Sequence, residues 1–180
     1  RSPQTSSGYT WSEEPDEEAV AKEWALKIIV NRLRAKDGSD NEDDFRAHAE
    51  RVYGILNQLV ANEGEMSKDK DTPASQKSRL RLLAAKLLLK LCSSQSLCEQ
   101  MLTPKDFNVL ALVAQDPLLA VRRGFITQLK KKLVQNTSLT ARWYTIPCLL
   151  AFEPSVELKD STLTWLRSRA NFFSRQAQVN

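Results

Sequence analysis

The chain has 180 residues, 42% hydrophobic and 27% charged, with a formal net charge of +4; that is enough for one domain with a buried core. No apolar run approaches the roughly 20 residues of a membrane span, the opening RSPQTSSGYT lacks a signal-peptide core, and five glycines with few β-branched runs argue against an all-β fold. The charge is uneven: residues 1–72 carry 10 Lys+Arg against 16 Asp+Glu, and residues 73–180 carry 16 against 6, an asymmetry that bears on partners rather than on fold.

Residues 1–15 are rich in Ser, Thr, Pro and Glu and read as a flexible acidic and polar tail, with Trp11 as the one side chain suited to dock on the body. The first residue is not Met, so a piece of a longer protein is expected. Cys92, Cys98 and Cys148 are odd in number and form no C-x-x-C pair. They read as small buried hydrophobes in a reducing compartment.

Asp16 caps a helix, with Glu17 and Glu18 in its favourable first turn. Val20, Trp24, Ile28 and Leu33, flanked by Ala21, Ala25 and Ile29, form its expected apolar face. The stretch 37–44 (DGSDNEDD) has the composition of a calcium loop but the wrong order, with glycine second and no closing Glu, so it reads as a turn. The next helix runs from about 43 to 61, on the stripe Phe45, Ala49, Val52, Leu56, Leu59 and Val60. His48 is the single histidine and has no partner of a catalytic kind, so it reads as a surface or boundary residue. Residues 62–76 are polar and mixed in charge and read as a mobile loop.

The stretch 78–92 is apolar around most of its circumference, through Leu80, Leu83, Ala84, Leu87, Leu88 and Leu91. Arg79, Arg81, Lys86 and Lys90 hold a narrow polar stripe. A helix buried on more than one side belongs inside a stack. A short helix over 96–101 follows. Thr103, Pro104 and Asp106 mark a clear helix start, with Phe107, Leu110, Ala111 and Ala114 facing inward. Asp116 and Pro117 start the next helix in the same manner. Its apolar side is Leu118, Val121, Phe125, Ile126, Leu129 and Leu133, and its polar side Arg122, Arg123, Lys130, Lys131 and Lys132. A partner helix over 138–152 is kinked by Pro147. Ser155 caps the last helix, with Leu158, Leu163, Leu166 and Ala170 inward and Trp165, Arg167, Arg169 and Arg175 elsewhere.

These elements repeat. Asp116-Pro117 recurs 37 positions on as Glu153-Pro154, Val121 maps onto Leu158, Ile126 onto Leu163 and Leu129 onto Leu166. Thr103 maps onto Thr140 and Phe107 onto Tyr144 in the same register. Two apolar-periodic segments per period of this size predict an all-α solenoid of antiparallel helix pairs. The organisation expected is a tail over 1–15, a first helix pair over 16–62, a loop over 63–76 and 37-residue repeats over 77–176.

Asp116-Pro117 followed by Val121-Arg122 resembles the HEAT-repeat signature. The longer string carries more: Thr103, Pro104, Phe107, Ala111, Leu112, Val113, Val121, Arg122, Phe125, Lys130, Leu133, Leu139 and Tyr144 stand where matching residues stand in the cohesin-associated precocious-dissociation-of-sisters family. The chain resembles a fungal-type member of it, over about 76–175. The resemblance implies a HEAT-like superhelix in a regulator of sister chromatid cohesion. It implies a nuclear, chromatin-associated protein that binds the kleisin subunit of cohesin and a wings-apart-type release factor.

The residues themselves offer no glycine-rich phosphate loop, no Ser-His-Asp set and no metal-ligand cluster, so a non-enzymatic protein without cofactor or metal is expected, and no membrane partner. The basic back half holds a candidate partner surface: Arg122, Arg123, Lys130, Lys131, Lys132, Arg167 and Arg169. On the helix of 119–134, positions 123, 130 and 131 share a face, while 122 and 132 flank it. Such a surface could take DNA or an inositol polyphosphate weakly and with strong salt dependence. An outward solenoid face charged only for solubility, or an unrelated HEAT-repeat transport or adaptor protein, are the other readings. Trp24, Trp143 and Trp165 read as packing residues before partner anchors.

Overall fold

The computed structural model describes residues 9–36, 41–135 and 138–179. Among them every regular element is helical: α1 (Glu17–Arg34), α2 (Glu42–Ala61), α3 (Ala74–Cys92), α4 (Ser96–Met101), α5 (Pro104–Ala111), α6 (Leu119–Val134), α7 (Thr145–Cys148) and α8 (Val156–Val179). Three 3₁₀ turns complete them: Leu112–Gln115 extends α5, and Ala141–Tyr144 and Leu149–Phe152 flank α7.

Two layers result. One row runs α1, α3, α6, and α8 joins it through Arg123–Glu157 and Lys130–Thr162. The other row runs α2, α5 and the α7 segment, joined by an edge-to-face contact of Phe107 with Trp143 at 5.3 Å. Helix α2 packs on α3, and the 3₁₀ turns Leu112–Gln115 and Leu149–Phe152 that continue α5 and α7 pack on α6 and α8, as in a HEAT-like solenoid. Asp116 and Glu153 each end a 3₁₀ turn, just before α6 and α8 respectively.

The spine is α3. Twelve of its 19 residues are buried, because α1, α2, α4 and α6 all pack on it. At about 1.5–3 kcal/mol for each fully buried leucine, its leucines outweigh any capping term in the chain. The α2 stripe is buried as its period predicts, with Tyr53 added. Tyr53 donates its hydroxyl proton to the Cys98 carbonyl at 2.6 Å. Burial raises the Tyr53 hydroxyl and pushes the neighbouring Cys92 thiol up to about 12. Cys92 and Cys98 are buried free thiols, whereas Cys148, also expected to be buried, is exposed.

Helix starts follow the sequence closely. Asp16 accepts from the Ala19 N–H at 2.7 Å, and Thr103 accepts from Asp106 N–H at 3.1 Å behind Pro104. The α2 end is unusual. Glu63 takes the left-handed conformation at φ 56, and the Gly64 N–H reaches back to Leu59 carbonyl at 2.7 Å, closing a Schellman motif. Gly64 sits at φ +92, and a Cβ there would lie 1.9 Å from the Lys77 carbonyl oxygen, so only glycine fits.

Three expectations are corrected. The buried face of α1 is Ala19, Leu26, Val30 and Leu33, whereas Trp24 and Ile28 are each 60% exposed. Helix α1 carries apolar residues on two flanks, and it packs on α3 and α2 through one of them. The 138–152 helix is broken into the 3₁₀, α7 and 3₁₀ pieces, since the Pro147 ring denies the turn before it a hydrogen bond. On α8, Leu158 and Thr162 are buried and Leu163 and Leu166 half-buried, but Ala170 faces solvent. Part of the acidic stretch, 37–40, lies outside the described residues, as does 1–8 of the tail.

Candidate functional site

Two surfaces of the stack concentrate charge. The first is the edge formed by the turns between paired helices. Sequence places Asp116 as the cap of α6, but the N-cap is Leu118 and makes no side-chain hydrogen bond. The Asp116 carboxylate accepts the Leu118 N–H at 2.9 Å and, on its two oxygens, Arg81 Nε at 2.5 Å and Nη2 at 2.9 Å. Glu153 repeats the arrangement 37 residues later, accepting the Ser155 N–H at 2.9 Å and Arg122 Nε and Nη2 at 2.7 and 2.8 Å. Arg122 Nη1 also donates to the Asp116 and Pro117 carbonyls at 2.7 and 3.1 Å. Each acid therefore ties its own turn to an arginine of the preceding repeat. Burial pushes the Glu153 carboxyl up, but the Arg122 guanidinium and the Ser155 N–H outweigh it and hold it below the usual range.

The same edge continues to the 62–73 connection. Glu65 accepts the Ser67 N–H at 2.9 Å, takes the Thr72 hydroxyl, and pairs with Lys77 Nζ at 2.7 Å. Lys77 and Thr72 bring its pKa down to about 2.

Arg122 thus leaves the candidate partner surface: it is 8% exposed and bidentate on Glu153. The remaining members are spread out. Arg123 is exposed and pairs with Glu157 at 2.8 Å. Lys130 is half-buried, its pKa lowered by burial, with Nζ 3.4 Å from Thr162 Oγ1. Lys131 is exposed and Lys132 half-buried on the last turn of α6. Arg167 is exposed, and Arg169 folds over the Phe172 and Phe173 rings at 4.4 and 5.0 Å.

The second surface is the outer face of α1, α3 and α6, which sequence reasoning recorded only as a polar stripe. A groove of about 440 Å³ lies there, crossed at one end by Trp11. Arg79 donates to Glu23 at 2.8 Å and stacks on the Trp11 ring at 5.5 Å. Lys27 reaches the same Glu23 at 3.4 Å and lies 5.3 Å from the Trp24 ring. Lys86 stands in the groove, and among the described residues its ammonium meets no acceptor. Its pKa is lowered by burial and then by Arg79, against a smaller pull from Glu23. Further along, Lys90 donates to Asn31 at 2.8 Å. Its pKa is lowered by burial and by the nearby Arg34 and Lys132. The signal was in the spacing: 79, 86 and 90 share one face of α3, while 81, about 200° from 79, points to the turn edge.

The other singled-out side chains are structural. Trp143 is fully buried and donates to Glu99 at 3.1 Å. Glu99 also receives Arg142 at 2.8 Å and Thr140 at 2.9 Å. Trp165 stacks on Tyr144 at 5.9 Å. His48 is half-exposed, with Nδ1 2.8 Å from the Asp44 carbonyl. Among the described residues no three His, Cys, Asp or Glu side chains converge as a metal site, and no helix is long and apolar enough to cross a membrane.

Comparison with known proteins gives one consistent answer. The family model described as "Sister chromatid cohesion protein PDS5 protein" matches residues 1–180. A "Sister chromatid cohesion protein pds5" of Schizosaccharomyces pombe is 34% identical over 166 residues, 91% of this chain and 13% of that protein. The Saccharomyces cerevisiae PDS5 protein is 28% identical over 151 residues, 81% of this chain and 12% of its own length. The human PDS5 homolog A is 31% identical over 160 residues, 87% and 11%. The chain spans roughly an eighth of the length of these relatives.

Proposed function

Because the chain belongs to the PDS5 family of sister chromatid cohesion proteins, we propose that it is a non-enzymatic scaffold segment of a cohesion regulator, acting in the nucleus on chromatin. In this reading its solenoid surface engages the kleisin subunit of cohesin and a wings-apart-type release factor. The observation that carries it is the pair of inter-repeat ion pairs, Arg81–Asp116 and Arg122–Glu153. They lock successive helix pairs into one register, which is what a surface that must present spaced contacts to an extended partner requires. Among the described residues the buried ion pairs Arg81–Asp116 and Arg122–Glu153 both serve that lock.

Co-purification tests it. The 180-residue chain and a full-length family member, each immobilised, should both retain purified kleisin subunit. Retention by the full-length protein alone would place the kleisin contact elsewhere and end this reading for the segment. A second reading, weak contact of the basic face with DNA or an inositol polyphosphate, is favoured by the positive charges of Arg34 and Lys132 acting on Lys90. It predicts binding that collapses between low and physiological salt.

A further inference from the structure

The groove on the outer face of α1, α3 and α6 has mixed walls. Its floor is apolar where Leu82, Leu83 and Ala120 line it. It is narrow because α3 and α6 approach closely at Gly124, where a Cβ would lie 2.9 Å from a Leu82 methyl. Its cations are unequal. Arg79 and Lys27 share one carboxylate, Glu23. Lys86 has none among the described residues, yet sits half-buried. Taking an ammonium partly out of water without a hydrogen-bonded anionic partner is unfavourable, and the Arg79 charge adds to the cost against a smaller pull from Glu23.

We infer that this groove is the docking site of an acidic peptide segment of a partner protein. The segment sets a carboxylate on the Lys86 ammonium and an apolar side chain against Leu82 and Leu83. Charge complementarity selects the occupant: three cations against one acid leave the groove positive. The apolar floor and the Glu23 carboxylate in its wall select against nucleic acid, whose evenly spaced phosphates need an unbroken basic track. The volume suits a few side chains of a peptide rather than a folded domain. Trp11, held under Arg79 at the groove's end, supplies a flat amphipathic edge of the kind that anchors peptide contacts. This goes beyond the cohesin reading, since it fixes the chemistry of the ligand and the residues that meet it, whichever protein supplies the segment.

The test uses the 180-residue chain and fluorescence anisotropy with three labelled probes: a short peptide of alternating leucine and glutamate, its glutamine counterpart, and a short duplex DNA. The leucine–glutamate peptide should bind, and the glutamine peptide at least about tenfold more weakly. Lys86→Glu should cost the acidic peptide a further tenfold or so. Ala120→Phe, which fills the floor from another helix, should do the same. Lys105→Glu, an exposed charge reversal on α5, should change nothing. Circular dichroism checks that every variant is folded, and Ala120→Phe stands in should Lys86→Glu not fold. Equal binding of the glutamine peptide, no loss with either groove variant, or tighter Lys86-dependent binding of the duplex would each overturn the inference.

Discussion

Arg79 and Arg81 are two residues apart on α3 and have opposite fates. Arg81 is 3% exposed and bonds both oxygens of Asp116, 35 residues away in sequence. Arg79 faces outward into a groove, splits Glu23 with Lys27, and leaves Lys86 beyond it with no acid of its own. The turn edge is closed electrostatically: each of its buried acids has its arginine. The outer face is open: it has more cations than acids. A helix turns about 200° in two residues, so one basic stretch of sequence serves both as a lock between repeats and as a surface for something else.

The largest effect should come from opening the lock. Arg81→Ala leaves Asp116 buried without its cation, and breaking a buried pair from one side costs about 3–5 kcal/mol. Thermal or urea unfolding should show this as a large loss of stability. Replacing both partners, Arg81→Met with Asp116→Leu, should recover much of it, because well-packed apolar residues replace a buried pair at little cost. Recovery should stay incomplete, since the Leu118 N–H also loses its acceptor. If Arg81→Ala left the midpoint unchanged, the pair would be ornamental and the contrast between the two surfaces would dissolve.

This lock was only half legible in the sequence. The 37-residue recurrence of Asp116-Pro117 as Glu153-Pro154 marked both positions, and the caps at Asp16 and Thr103 and the short α4 were readable from local rules. Asp116 itself looks like a cap because an acid before a proline and a helix is the usual cap pattern. Nothing local reveals that its real partner sits 35 residues upstream. The same blindness placed Arg122 on the partner surface, although the helical wheel already set 122 apart from 123, 130 and 131. On α1 the apolar residues occupy two flanks, and periodicity cannot say which one α3 covers, so Trp24 and Ile28 were assigned inward. The outer groove needed the pairings of Glu23 with Arg79 and Lys27 before Lys86 could be recognised as unmatched.

Acid sharpens the comparison next. Glu65 is held at about 2 and Glu153 below the usual range, both on the turn edge. Depressed carboxylates contribute stability that is complete above their unfolded value, about 4.3, and lost as pH falls towards the folded one. The melting temperature should therefore drop as pH goes from above 4.3 towards about 2. Glu65→Gln, which has no proton to take up, should start lower and fall less steeply. An equal slope in the variant would show that the edge does not govern the acid limb.

The smallest effect is the most diagnostic, because its sign is opposite to that of the first. Lys86→Met keeps the apolar stem against Leu82 and removes the charge. Burial and Arg79 lower the pKa of Lys86, so the unfolded chain holds that proton more tightly than the folded one. The folded protein therefore bears a cost for the charged form. That cost is fully present below the folded pKa and disappears as pH rises towards the ordinary lysine value of about 10.4. At neutral pH the variant should be more stable than the parent by a margin under about 1 kcal/mol, since the group is only half-buried and partly screened. The gap should narrow in alkaline buffer. Arg81→Met, the same kind of exchange one and a half turns earlier on the same helix, should instead destabilise, because it leaves the buried Asp116 carboxylate without its cation. A Lys86→Met variant less stable than its parent would mean that the ammonium already has a counter-charge, and the outer face would then be as closed as the edge.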